Sequence, residues 1–162
     1  ALYQHSKYNH VKKYLLKNNL NINEYFTFSF VKNPWNKCVS MYNYGKRMQR
    51  TTNADWTKKF KNLTFKNFLQ YQHDNQIDWI SDQLTEGLRK YKISVDFVGK
   101  SERLQQDFDI ICNKIGIQKQ KIPHRNKTKH KHYTEYYDEE TKQIVAEKFA
   151  KDIEYFGYKF EE

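Results

Sequence analysis

Apolar and polar positions along the chain follow two different periods. Residues 25–31, YFTFSFV, are an uncharged aromatic and β-branched run too short for a helix of its own, which predicts a buried strand. A helix opens directly after it at Asn33-Pro34, because asparagine is a good N-cap and proline suits a first helical position whose N–H has no partner. On that helix Trp35, Cys38, Val39 and Tyr42 recur at i, i+3, i+4 and i+7, an apolar stripe facing a core, with Lys37, Ser40 and Tyr44 opposite. Upstream, Tyr8, Val11, Tyr14 and Leu15 predict a helix within residues 6–18 that ends at Asn18-Asn19. Residues 45–64 keep no sustained period and predict a basic loop with a short helical piece at 56–60. Thr64 then caps a helix carrying Phe65, Phe68 and Leu69. Residues 94–99, SVDFVG, read as a second strand leading into a helix over 102–115. Its apolar stripe is Leu104, Phe108, Ile111, Cys112 and Ile115, and Gly116 closes it. Asp138 caps one last helix, with Glu139 and Glu140 in the first turn and Ile144, Val145, Phe149, Ile153 and Phe156 buried before Gly157. Strands alternating with helices predict an α/β fold, a single domain over residues 1–162 with a small, mainly parallel sheet flanked by helices.

Composition narrows the partners. The 162 residues suffice for one core, and 29 Lys+Arg against 19 Asp+Glu give a formal charge of +10. Such a charge favours polyanions: nucleic acid, acidic lipid, sulfated or carboxylated glycan, or a nucleotide. Aromatic residues make up 17% with only five glycines and two prolines, which excludes a low-complexity chain. Cys38 and Cys112 fall on apolar helix faces and read as buried free thiols. No apolar run in these residues is long enough to span a membrane, and no stretch of them reads as a signal peptide.

The candidate chemistry sits where the first strand meets its helix. Cationic Lys32, a free helix N-terminus and the Ser40 hydroxyl together make a cradle for a phosphate. An ordinary amphipathic helix with a solvated polar face accounts for the same local pattern. The stretch FVKNPWNKCVSMY resembles the signature of sulfotransferases that use 3′-phosphoadenosine 5′-phosphosulfate, F-V-R-[ND]-P-x-x-R-x-x-S-x-Y. The resemblance implies that Lys32 and Ser40 hold the nucleotide's 3′-phosphate, with Lys37 at the second basic place. Both arginines of the signature are lysines here, which keeps the charge and loses the planar fork that grips a phosphate bidentately.

Other stretches extend the likeness. His5-Ser6-Lys7-Tyr8 is similar to the H-x-x-Y or H-x-T-A segment of carbohydrate sulfotransferases, which implies that His5 is the catalytic base. A sugar hydroxyl is a poor nucleophile until such a base takes its proton. His10 is the competing histidine. Gln76-Ile77-Asp78-Trp79-Ile80 resembles the family's Q-x-x-Y-I element beside the acceptor cleft, implying sugar contacts for Gln76 and Trp79, although an indole packed in the core explains Trp79 equally well. DFVGKSERLQQDFDIICNKIGI and the ending DIEYFGYKF also look like the family's. For IPHRNKTKHKHYTEYY three readings stand. It resembles the loop P-H-x-N-x-[ST] that closes over the nucleotide, which implies Asn126, Lys127 and Thr128 as phosphate neighbours. Its cations and Tyr133, Tyr136 and Tyr137 also suit single-stranded nucleic acid. His124, His130 and His132 are a weak metal signal, since H-x-H has no acidic or cysteine partner nearby.

Taken together, the resemblance implies a P-loop-NTPase-like sulfotransferase fold and sulfuryl transfer to a hydroxyl, most naturally of a carbohydrate. 3′-Phosphoadenosine 5′-phosphosulfate would be the co-substrate, no metal would be needed, and the acceptor would be an anionic or neutral glycan. It implies the cytoplasm for a bacterial or viral parent and the Golgi lumen for a eukaryotic membrane-type one. Two alternatives remain: a basic nucleic-acid-binding module built on residues 119–137 and 45–61, or a non-catalytic glycan-binding relative. The family's N-terminal P-K-x-[GA]-[ST]-[ST] loop has no counterpart here. The expectation is therefore either about 40 further residues ahead of Ala1, the length of a strand-loop-helix unit, or a chain without that loop.

Overall fold

A computed structural model describes residues 6–52, 54–81, 93–123 and 130–161. They fall into two compact units, one formed by Ala1–Val31 with Asn75–Ile122 and the other by Lys32–Asp74 with Pro123–Glu162.

The first unit holds a two-stranded parallel sheet, β1 (Phe28–Val31) beside β2 (Phe97–Lys100), in the register Phe28↔Phe97 through Val31↔Lys100. The strand expected from residue 25 starts at Phe28 instead. Tyr25 is used by the preceding turn, where its N–H bonds the Ile22 carbonyl at 3.1 Å. Pairing begins at a clamp, in which the Asp96 carboxylate accepts the Thr27 N–H at 2.7 Å and the Thr27 hydroxyl at 2.8 Å. These two bonds, the backbone one foremost, hold the Asp96 carboxyl below the usual carboxylate range. Helix α1 (Tyr8–Lys17) ends at Asn18 and Asn19, the latter left-handed at φ 58°, as the asparagine pair predicts. After the 3₁₀ turn Ser101–Arg103, α6 (Leu104–Ile115) packs on β2 and ends at Gly116, whose φ of 74° a residue with a Cβ would adopt only under strain. Ile111 and Cys112 are buried on α6, while Ile115 lies 43% exposed, so the stripe is shorter than its spacing predicts. Asp107, also buried, accepts the Lys100 N–H at 2.6 Å and pairs with Arg103, which ties the end of β2 to α6. α5 (Ile77–Ile80) contributes Ile77 and Ile80 to this core.

The second unit is organised by α2 (Pro34–Thr51). Its stripe is as expected: Trp35, Cys38 and Val39 are buried, and Tyr42 packs edge-on against Phe65. The helix continues through residues 45–51, where the sequence predicts a loop. Gly45 faces inward against the Phe60 ring, so the helix packs against α3 (Asp55–Lys58) and its following turn, with Lys46 and Arg47 half-buried and Arg50 exposed. Thr64 caps α4 (Phe65–Gln70) through the Asn67 N–H. The last predicted helix is two, α7 (Glu139–Lys148) and α8 (Ala150–Phe156), bent at Phe149. Phe149 adopts φ −112° and ψ 23° to bury its ring, and full burial of such a side chain stabilises by about 1.5–3 kcal/mol. The C-terminal stretch returns to α2: the Asn33 amide donates to the Lys159 carbonyl at 2.8 Å, and the Phe160 ring meets Trp35 edge-on. Among the described residues no helix is long and apolar enough to cross a membrane.

Candidate functional site

Lys32 and Ser40, the two residues that the resemblance assigns to a phosphate, come together in the second unit. The Lys32 ammonium donates to Ser40 Oγ at 2.7 Å, and the Ser40 hydroxyl reaches Asn36 Oδ1 at 3.4 Å. Both side chains are half-buried. An i, i+4 step on α2 stacks Asn36 under Ser40, and this third member was readable from spacing alone. The free helix N-terminus of the expected cradle needs correction. Pro34 has no N–H, the Asn33 side chain takes those of Trp35 (3.1 Å) and Asn36 (3.4 Å), and the Asn33 carbonyl takes that of Lys37 (2.8 Å). A strong N-cap satisfies the same donors an anion would use. The first turn of α2 therefore offers the field of the helix rather than unpaired N–H groups.

Lys37 is turned elsewhere. Its ammonium donates to the Asp74 carbonyl at 3.1 Å and lies 5.2 Å from the centre of the Phe149 ring. Burial lowers its pKa, with the Asp152 carboxylate opposing that shift. Lys37 therefore joins α2 to the end of α4's loop and to the α7–α8 bend. Beside it, burial pushes the Cys38 thiol up to about 12, which keeps it protonated and unreactive.

In the first unit, Trp79 borders an open cavity of about 280 Å³ together with Ser6, Tyr8, Val11, Phe26 and Phe28. The Lys7 ammonium stands 5.3 Å from the Trp79 ring centre. Trp79 is thus neither fully buried nor a core indole. Gln76 is half-buried at the start of α5, where its carbonyl accepts the Trp79 N–H. His10 is exposed on α1. His5 and the loop residues His124, Asn126, Lys127 and Thr128 lie outside the described residues.

The tyrosines assigned to nucleic-acid stacking are committed to the fold. Tyr133 is buried and its hydroxyl donates to the Phe160 carbonyl, and the Tyr137 hydroxyl donates to the Trp35 carbonyl at 2.9 Å. Tyr136 reaches Asn43 Oδ1 at 3.3 Å and packs on Phe65. Burial raises the Tyr137 pKa far above the ordinary phenol value. His130 and His132 are exposed, with His132 Nδ1 at 2.8 Å from the Thr134 hydroxyl.

A family model described as "Sulfotransferase family" matches residues 3–159. An uncharacterized protein of Archaeoglobus fulgidus is 37% identical over 98 residues, covering 57% of this chain and 69% of that protein. No solved structure matches the chain.

Proposed function

The chain belongs to the sulfotransferase family, and on that premise we propose that it transfers a sulfuryl group from 3′-phosphoadenosine 5′-phosphosulfate to a carbohydrate hydroxyl, on a single P-loop-NTPase-like domain. The observation that carries this reading is the 2.7 Å contact between Lys32 Nζ and Ser40 Oγ at the start of α2. The contact sets a cation and a rotatable hydroxyl at one place, where a phosphate oxygen would meet a charge and a hydrogen-bonding group together. On binding, the Ser40 hydroxyl turns from Asn36 to the 3′-phosphate. Asn126, Lys127 and Thr128 are assigned to the same nucleotide by their motif. No metal ligand is part of the scheme.

His5 is the base. It takes the acceptor's hydroxyl proton as that oxygen attacks sulfur, the new O–S bond forms, and the bond from sulfur to the bridging phosphate oxygen breaks. The electron pair leaves on the 5′-phosphate of adenosine 3′,5′-bisphosphate, and positioning and charge stabilisation carry most of the rate. The Trp79 cavity suits the acceptor, because an aromatic face receives a sugar ring while Lys7 faces any carboxylate or sulfate on it. Gln76 is placed with it by the family's motif.

Calorimetry and turnover on single variants test this assignment. Lys32→Ala and Ser40→Ala should each weaken adenosine 3′,5′-bisphosphate binding roughly tenfold or more, the value of a charge-assisted bond. His5→Ala should abolish turnover with nucleotide affinity intact. Unchanged affinity in the first two variants would remove the 3′-phosphate site, and lost affinity in the third would make His5 structural.

A further inference from the structure

The cavity of the first unit has walls made mostly of hydrocarbon. Tyr8 and Val11 of α1, Ile22 of the 3₁₀ turn Ile22–Glu24, Phe26 and Phe28 around the start of β1, and Ile80 at the end of α5 border one open volume of about 280 Å³. Eight of the eleven described residues along it are aliphatic or aromatic, so it gains most from a ligand that covers apolar surface. Ile22 and Ile80 are buried at 6% and 5% exposure, whereas Phe28 is 44% exposed. The wall thus runs from core to surface, and its outer hydrocarbon stays in water until something covers it.

One hydroxyl of the wall is taken by the fold. The Thr27 side chain donates to the Asp96 carboxylate at 2.8 Å and accepts the Asp96 N–H at 3.1 Å. A sugar ring carries hydroxyls around its edge, and each needs a partner when buried, whereas hydrocarbon needs none. The volume is nearly twice the roughly 150 Å³ that encloses one benzene ring, which gives room for about two such rings or a medium-length alkyl chain. A polar boundary lies at Trp79, where the Lys7 ammonium stands 5.3 Å from the ring centre. Hydrocarbon on one side and a cation on the other match a single amphiphilic molecule.

We infer that the acceptor is the glycoside of an apolar alcohol. Its sugar, at the Trp79 and Lys7 end, carries the hydroxyl to be sulfated, and its alkyl or aryl aglycone fills the cavity between α1, β1 and α5. The sugar half of this assignment rests on the transfer reading above. The aglycone half rests on the wall alone, because Val11, Ile22, Phe26, Phe28 and Ile80 are covered by hydrocarbon and not by a polar ring.

The test is calorimetric binding of octyl β-glucoside, below its micelle concentration, and of methyl β-glucoside to the intact chain and to Val11→Trp and Phe28→Ser. The two ligands share their sugar and differ in the aglycone, so the octyl compound should bind roughly tenfold tighter or more. Both variants should lose most of that advantage, since Val11→Trp fills the cavity and Phe28→Ser removes hydrocarbon from its wall. Should Val11→Trp not fold, Phe28→Ser, at an exposed position, carries the decision. Equal affinities for the two glucosides would overturn the aglycone site. So would absent octyl glucoside binding, or an octyl advantage indifferent to both variants. Adenosine 3′,5′-bisphosphate affinity, measured alongside, separates the two readings. Nucleotide binding with equal glucoside affinities defeats the aglycone site and leaves the transfer reading standing. Absent nucleotide binding with an octyl advantage that depends on Val11 or Phe28 defeats the donor site and leaves the apolar site standing.

Discussion

Asn33 does more than any other residue near the cradle. Its side-chain oxygen accepts two α2 N–H groups, its carbonyl takes a third, and its amide donates across to the Lys159 carbonyl, all from a position 1% exposed. A capping asparagine replaced by alanine costs about 1 kcal/mol, and the lost bond to the Lys159 carbonyl adds about 1 more. Asn33→Ala should therefore lower unfolding stability by roughly 2 kcal/mol in denaturant titration, and a change below a few tenths would show that α2 does not depend on this cap. The cap itself was legible in the sequence, since Asn-Pro before an apolar stripe has few other meanings. Its consequence was not: satisfying α2's first turn removes the backbone donors that made the helix end look like an anion site. The Lys32–Ser40 contact was likewise expected from the motif, whereas Lys37, one turn earlier than Ser40 on the polar face, is drawn to Asp74 and Phe149 by groups more than 30 residues away in sequence. Local spacing carries no information about such partners.

Among the elements, α2 departs most from its reading. Residues 45–51 look like a loop because glycine and a run of basic residues break the apolar period, yet a helix with one face on α3 and the rest in solvent needs few apolar positions. Gly45 belongs to packing here. Alanine is the better helix former by about 1 kcal/mol, but its Cβ would overlap the buried Phe60 ring, and overpacking costs about 1–3 kcal/mol. Gly45→Ala is accordingly expected to lower the melting temperature, and a raised one would mean that the Phe60 ring moves aside freely. The α7–α8 bend follows from the same kind of cause. Every apolar residue of the predicted single helix has helical spacing, so nothing local marks Phe149, and the break comes from the site into which its ring is buried. The strand pair was the easier reading, because YFTFSFV and SVDFVG are charge-poor runs of strand length; their parallel register needed the structure.

At the scale of the whole molecule, charge sets both solubility and response to acid. The formal charge of +10 rises as carboxylates protonate, and two of these begin with folded pKa values below the ordinary range. Thr27 bonds lower Asp96; the Thr141 hydroxyl and then its N–H lower Asp138 at the start of α7. A carboxylate depressed on folding stabilises fully above its unfolded value near 3.9, and that contribution is lost as pH falls through the folded value. Stability from these two groups should thus be level from pH 7 to about 5 and decline below about 4. Asp96→Asn with Asp138→Asn should flatten the decline, and an equally steep acid limb in the double variant would place acid sensitivity elsewhere.

The central claim is that this chain, a member of the sulfotransferase family, recognises a 3′-phosphorylated adenosine nucleotide through Lys32 and Ser40. It is tested most directly by the shift in melting temperature with adenosine 3′,5′-bisphosphate against ADP, at low and moderate salt. A ligand at about 100 times its dissociation constant adds roughly 2.7 kcal/mol, so selective stabilisation by the 3′-phosphorylated nucleotide, persisting at moderate salt, is the predicted result. Equal shifts with both nucleotides, or none with either, would contradict it.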